Sequence, residues 1–250
     1  MNTTPALYDT FPQLKLIPTE KFPKHVLIIP DGNGRWAEKS IQFVLFGHKK
    51  GAEVIKSILR VLSQIKSIEI ITLWGFSSDN WKRSEKEVKG LLYLIQIQIE
   101  QALVEVMQRN ARFIHLGRKD RIPSSLLEIM TQAENATRNN TGQIICIAVD
   151  FGGEDQEIRL LQKAHKLPES TIFTKQVLWD LRDGEGVIPP ADLLIRTAGE
   201  HRTSDIGWLN GAPTELYFID KLFPDITTQD IVNGIISFSN RNRRFGARIK

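Results

Sequence analysis

Three stretches of the chain carry residue types suited to chemistry on an anion. The first, HVLIIPDGNGRWAEK (25–39), closes an apolar run at Pro30 and then sets Asp31, Gly32, Asn33, Gly34, Arg35 and Trp36 in a row. Gly32, Gly34 and Ala37 fit G-x-G-x-x-A, a weak dinucleotide fingerprint, and the lack of a following Gly-Lys-Ser/Thr excludes a P-loop. An acid at a phosphate-binding turn makes sense where a divalent cation lies between it and the phosphates. The glycines then let backbone amides approach the anion, and Arg35 adds a charge-assisted fork. A plain strand-to-helix turn accounts for the same residues equally well.

The second stretch, WGFSSDNWKRSEKEV (74–88), crowds Ser77, Asn80, Trp81 and Arg83 between a strand and a helix. Its simpler explanation is an elaborate N-cap. The third, DLLIRTAGEHRTSD (192–205), ends a strand at Arg196 and continues with His201, Arg202 and Ser204. Two arginines and a hydroxyl at this spacing can hold one diphosphate; a solvated basic loop is the common alternative. Glu215, at the mouth of ELYFID, is either a second metal ligand or a surface acid. His25, His115 and His165 have no metal-ligand spacing. Together the three stretches offer cations for two phosphate groups, two acids for a metal and aromatics for an apolar group. That combination points to a Mg²⁺-dependent enzyme acting on diphosphates.

The elements that must position these residues follow from hydrophobic periodicity. Continuous apolar runs at 25–30, 69–76, 112–117, 144–151, 192–197 and 215–219 read as strands buried on both faces, hence a parallel sheet. Helical patterns at 47–66, 84–110, 123–139, 153–166, 174–182 and 227–241 alternate with them. Pro123 is expected at a first helical position, and Ser84 with Glu87 as a capping box. The β-α-β-α order gives one α/β domain with an open, mostly parallel sheet of about six strands flanked by helices, its ligand site at the carboxyl ends of the strands. The helix from Ser84 is apolar on more than one face, which suits a core helix better than the wall of an apolar tunnel.

The remaining composition narrows the class. Lys and Arg outnumber Asp and Glu by 33 to 29, an excess too mild to imply nucleic acid. The basic C-terminal SNRNRRFGARIK lacks interleaved aromatics, and nucleic acid is not an expected partner. Cys146, alone in the chain, lies in the apolar run IICIAV; it forbids an internal disulfide and fits a buried, inert thiol in a reducing cytoplasm. The N-terminal stretch has no apolar signal region, and no run approaches the ~18 apolar residues of a spanning helix, so membrane contact is expected to be peripheral.

With these motifs in order, HVLIIPDGNGRWAEK, FGHKKGAE, TLWGFSSDNWKRSEKEV and DLLIRTAGEHRTSD followed by PTELYFIDKLFPDI, the chain resembles the cis-prenyltransferases, the undecaprenyl diphosphate synthase family. The resemblance runs from about His25 to Gly246 and implies a catalytic domain over 25–246, an N-terminal extension over 1–24 and a tail over 247–250. It implies condensation of isopentenyl diphosphate with an allylic diphosphate to give a Z-prenyl diphosphate, Mg²⁺ as cofactor, a hydrophobic tunnel, a homodimer, and a cytoplasmic protein with peripheral membrane association as an option. Carried over by position, Asp31 is the essential aspartate and, with Glu215, a Mg²⁺ ligand. Gly32, Asn33, Gly34, Arg35, Trp36 and His48 form the allylic site. Ser77 and Asn80 are catalytic, Asn80 as the usual proton acceptor, with Ser78, Asp79, Trp81 and Arg83 beside them. Arg196, Arg202, Thr203 and Ser204 hold isopentenyl diphosphate.

The chain departs from the family pattern in particular places. Ile41 stands where glycine is common, and Val44 where an arginine for the allylic diphosphate is expected. Loss of that arginine would cost about 1.5–3 kcal/mol. Ala198 replaces a usual glycine, Asp150 a usual asparagine, Gly75 a usual alanine, and Pro213 lies near a usual aromatic. These changes imply a specialised member, with a different allylic partner, product length, irregular (branched, head-to-middle) coupling or a non-isoprenoid acceptor. An NAD-dependent oxidoreductase built on Gly32, Gly34 and Ala37 would leave the other motifs unexplained. An inactive partner subunit is at odds with the retention of Asp31, Arg196, Arg202 and Glu215.

Overall fold

The structure, a computed structural model, describes residues 7–243; the expected tail, 247–250, lies outside them. In chain order the elements are α1 (Leu7–Thr10), β1 (His25–Ile29), α2 (Asn33–Lys39), α3 (Val44–Leu62), β2 (Ile70–Ser77), α4 (Glu85–Gln108), β3 (Arg112–Leu116), α5 (Ser124–Thr137), β4 (Ile144–Phe151), α6 (Gly153–Ala164), α7 (Lys175–Leu181), β5 (Leu193–Arg196), β6 (Glu215–Phe218) and α8 (Thr228–Ser239). The fold is α/β, with a six-stranded parallel sheet flanked by helices. Each strand lies where its apolar run predicts it, to within a residue. The helix α2 is missing from the periodic helices because NGRWAEK holds only two apolar side chains, Trp36 and Ala37, too few to show a period.

Contacts gather into two compact units. Among the described residues, the first comprises those up to Glu69, Ala191–His201 and those from Gly211 on. Its strands run in the order β1-β5-β6, with Ile29 opposite Arg196 and Arg196 opposite Phe218. Every residue of β1 and β5 is buried, as expected of strands covered on both faces. Helix α3 packs against the start of α2 through two glycines one turn apart. A Cβ on Gly47 would lie 2.1 Å from the Asn33 carbonyl oxygen, and one on Gly51 2.2 Å from Asn33 Oδ1. Helix α8 opens on a capping box in which Thr227 and Asp230 exchange bonds.

The second unit comprises Ile70–Pro190 and Arg202–Asn210, with strands in the order β3-β4-β2. The β2–β4 register slips at Gly75 and is restored at Asp150, so Ser77, where the second motif begins, is still paired, opposite Phe151. Cys146, on β4, is buried, and burial pushes its thiol up to about 12, so it is protonated and inert at neutral pH.

Three expectations are corrected here. Pro123 is the N-cap of α5 rather than its first helical residue, with an extended ψ of 140°. Only half of the box at α4 forms: Ser84 accepts from the Glu87 amide, but the Glu87 carboxylate turns to Arg83 at 2.9 Å. Finally, α4 is, by length and composition, apolar enough to span a membrane, and little of its most apolar stretch is buried. Counting uninterrupted apolar residues misses this because glutamines are interspersed. Val88, Leu91, Leu92 and Ile99 are its core face, while Tyr93, Val104 and Met107 are exposed.

Candidate active site

In the first unit the site begins where β1 ends. Asp31 follows Pro30, and Gly32 takes φ +101° as the N-cap of α2. A side chain could not fit there, since a Cβ on Gly32 would stand 2.9 Å from both Ala198 Cβ and Leu222 Cδ2. The Asp31 carboxylate is held on several sides. Its Oδ1 accepts from the Gly32 amide at 2.7 Å and lies 3.5 Å from Arg35 Nη2. Its Oδ2 accepts from Arg196 Nη2 at 2.9 Å. The Arg196 side chain is only 4% exposed, so this ion pair is shielded from water on the arginine side. Below the carboxylate, the Thr197 hydroxyl donates to the Asp31 carbonyl at 2.7 Å.

Arg35 bridges outward. Its Nη2 is 3.0 Å from Glu200 Oε1, and its Nη1 donates to the Ala198 carbonyl at 3.4 Å. Trp36 donates through Nε1 to Asp225 at 2.7 Å and stacks on Phe46 at 6.2 Å. His48 is half-buried on α3. Gly34 is open, its nearest neighbour being Val44 Cγ1, 3.7 Å from where a Cβ would lie. Asn33 differs from its expected role. It is buried against α3, and its amide donates to the Pro30 carbonyl at 2.8 Å, so it fixes the turn from behind.

The two acids expected to share a metal are not brought together within the chain. Glu215 pairs in register with Leu193 and Phe218 with Arg196, so Glu215 sits at the amino end of β6, while Asp31 lies beyond the carboxyl end of β1. Three residues of strand amount to about 10 Å. The Glu215 carboxylate is engaged by Arg241 at 2.7 Å. Among the described residues no cluster of three or more His, Cys, Asp or Glu side chains is placed to hold a metal. Asp31 alone fits a divalent cation of the kind held by one or two carboxylates, with substrate phosphates and water filling the remaining positions.

In the second unit β2 delivers Ser77 and Asn80 to a 3-10 turn, Ser78–Lys82. The two form a reciprocal box, with the Ser77 amide donating to Asn80 Oδ1 at 3.0 Å. Trp81 donates through Nε1 to Asp150 Oδ1 at 2.8 Å and meets Phe76 edge-on at 5.3 Å. Arg83 is paired with Glu87, and Asp79 with Lys82 at 2.6 Å, both pairs on the surface.

Arg202, Thr203 and Ser204 occupy the loop that leads to the 3-10 turn Gly207–Leu209, Ser204 at φ +54°. Asp205 ties this loop to α6: its carbonyl accepts from the Gly153 amide at 2.9 Å and its carboxylate from the Glu154 amide at 3.3 Å. A Cβ on Gly152 would lie 2.3 Å from Ser78 Oγ, and one on Gly153 2.5 Å from Asp205 Oδ1. The Phe151-Gly152-Gly153 turn therefore brings the second and third motifs together in this unit. Sequence reasoning passed over Thr197, Glu200, Gly152, Gly153 and Asp205. The doubled glycine at the end of β4 was the available signal.

Comparison with known proteins shows the family to which the chain belongs. The model of the undecaprenyl diphosphate synthase family matches residues 29–246. The chain belongs to this prenyltransferase family. An isoprenyl transferase of Aquifex pyrophilus is 38% identical, covering 90% of this chain and 96% of its own. One from Streptococcus pneumoniae is 35% identical, over 92% and 94%. Among solved structures, lavandulyl diphosphate synthase from Lavandula x intermedia, in complex with dimethylallyl diphosphate, superposes with a TM-score of 0.84 at 30% identity, over 91% of this chain and 99% of that one. A probable undecaprenyl diphosphate synthase from Campylobacter jejuni shares the fold, with a TM-score of 0.74 at 24% identity, over 90% and 98%. This prenyltransferase therefore carries Asp31, Arg35 and Arg196 on one unit, and Ser77, Asn80 and Arg202 on the other.

Proposed function

We propose that this prenyltransferase is Mg²⁺-dependent and joins isopentenyl diphosphate to a short allylic diphosphate, forming a Z double bond. The observation that carries this reading is the Asp31 carboxylate held between Arg196 and Arg35 beside an open glycine turn. Asp31 would hold the metal together with the allylic diphosphate, and the metal would offset charge on the departing group. Arg35 and the turn's backbone bind the same diphosphate. Arg202 and Ser204 hold the diphosphate of the isopentenyl substrate.

The allylic C1–O bond breaks with its electron pair leaving on the diphosphate. The isopentenyl double bond attacks C1, and a proton then leaves the adjacent isopentenyl carbon. Asn80 is a weak base by its chemistry, and its Oδ1 already accepts from the Ser77 amide. A diphosphate oxygen is the better acceptor, oriented by the Asn80 amide and the Ser77 hydroxyl. The half-exposed apolar residues of α4, among them Leu94, Ile95 and Ile97, would wall the tunnel for the growing chain. A homodimer and peripheral membrane contact belong to the same reading.

A second reading is coupling of dimethylallyl diphosphate with itself to a branched product. The likeness to the lavandulyl diphosphate synthase structure favours it, as does an apolar 41–46 segment without the expected arginine. Incubation of the purified protein with Mg²⁺, labelled isopentenyl diphosphate and dimethylallyl, geranyl or farnesyl diphosphate decides between them. The first reading expects labelled Z products; the second expects product from dimethylallyl diphosphate alone. Asp31→Ala should lower kcat on the order of a hundredfold, and near-normal turnover would remove Asp31 from the mechanism.

A further inference from the structure

Asp150, the next-to-last residue of β4, carries two costs at once. Its carboxylate is fully buried, and its backbone lies in the left-handed region at φ +52°. A buried charge is tolerated only when fully paired, and a strained residue persists where its surroundings over-determine it. Three donors converge on this carboxylate. Arg121 donates to Oδ2 through Nε at 2.7 Å and to Oδ1 through Nη2 at 2.5 Å, and the Trp81 indole donates to Oδ1 at 2.8 Å. The Asp150 carbonyl accepts from the Arg118 amide at 3.1 Å.

The Trp81 ring is thereby gripped from several sides: Asp150 at its N–H, Phe76 at 5.3 Å, and the Arg121 guanidinium 5.9 Å from its centroid. Trp81 directly follows Asn80 in the short turn that also holds Ser77 and Ser78. The Ser77–Asn80 box is local to that turn. The indole–carboxylate bond, by contrast, ties the turn to a strand 69 residues away in sequence.

We infer that Asp150 is a positioning residue for the reaction: acting through Trp81, its carboxylate fixes the turn that presents Ser77 and Asn80 to the substrate. The inference rests on reading that turn as part of the prenyl-transfer site. It also explains why an acid serves at this position. An amide has one acceptor oxygen, so it could not take both Arg121 bonds and the indole, and its NH₂ would face the guanidinium.

Asp150→Asn tests this, because asparagine keeps the left-handed backbone. The expected result is a fall in kcat of about tenfold, with KM for both diphosphates within about twofold. Amide hydrogen exchange over residues 77–82, read by mass spectrometry, should speed up, while the circular dichroism spectrum is retained. Trp81→Phe, which removes only the indole N–H donor and part of the ring, should lower kcat similarly, and the double variant should match the Trp81→Phe single. Unchanged exchange over 77–82 in Asp150→Asn overturns the inference, as do an unchanged kcat or additive losses in the double variant. If the wild-type protein turns over no diphosphate, the transferase reading fails, and the exchange experiment alone then decides whether Asp150 holds the turn.

Discussion

Val44 is the side chain nearest the open face of Gly34, so its isopropyl group borders the turn framed by Asp31 and Arg35. A valine there offers no charge to a diphosphate. Val44→Arg should lower KM for geranyl or dimethylallyl diphosphate by up to about tenfold, on the order of one kcal/mol. The gain is reduced slightly because a cation at the first residue of α3 opposes the helix dipole. Steady-state kinetics checks this, and an unchanged KM would mean that this segment does not reach the diphosphate. Ile41, in the turn just before α3, is 95% exposed at φ +53°. A β-branched residue in that region is strained by roughly 1–2 kcal/mol and here gains no packing in return. Ile41→Gly should stabilise the protein by about 0.5–1 kcal/mol once the greater freedom of glycine in the unfolded chain is counted. Thermal melting should show a rise of about one to three degrees.

Among the elements, β3 and β4 carry a pH-sensitive contact. His115 on β3 is buried, and its Nε2 lies 2.9 Å from the Val149 carbonyl on β4. Burial depresses its pKa below the ordinary 6.5, outweighing the bond to Val149, which favours the protonated ring. The folded state therefore keeps the ring neutral, while the unfolded chain takes up a proton as pH falls below about 6.5. Stability from this group is complete above that pH and is lost as the medium becomes more acid. The melting temperature should drop between pH 7.5 and 5.5, and His115→Gln should show a smaller drop over the same range. Equal slopes in the two proteins would remove His115 as the source.

At the scale of the molecule, parallel pairing decides which end of each strand a residue occupies, and that separates Glu215 from Asp31. Glu215→Gln should leave the Mg²⁺ concentration for half-maximal turnover unchanged. It should cost at most about 1 kcal/mol of stability through the half-exposed pair with Arg241. Metal titration of activity, with melting in parallel, checks both statements. A large shift in the Mg²⁺ requirement would show that Glu215 meets a metal in an assembly of two chains.

The sequence by itself determined the strands. Continuous Ile, Val and Leu runs can be satisfied only by a sheet covered on both faces, and Asp31, Arg196, Asn80 and Arg202 stand at strand ends that can be read from those runs. It also marked Ile41, Ala198 and Asp150 as departures, and all three prove to be left-handed residues at φ +53°, +71° and +52°. Their conformations were not legible, because a dihedral angle depends on what surrounds the chain. The pairing of Asp31 with Arg196, 165 residues apart, was likewise invisible. So were the support from Thr197, the close approach of Gly152 and Gly153 to Ser78 and Asp205, and the grip of Asp150 on Trp81. Each is a contact between segments distant in sequence. Local pattern shows which face of an element is apolar, but only tertiary packing decides which distant polar group meets it there.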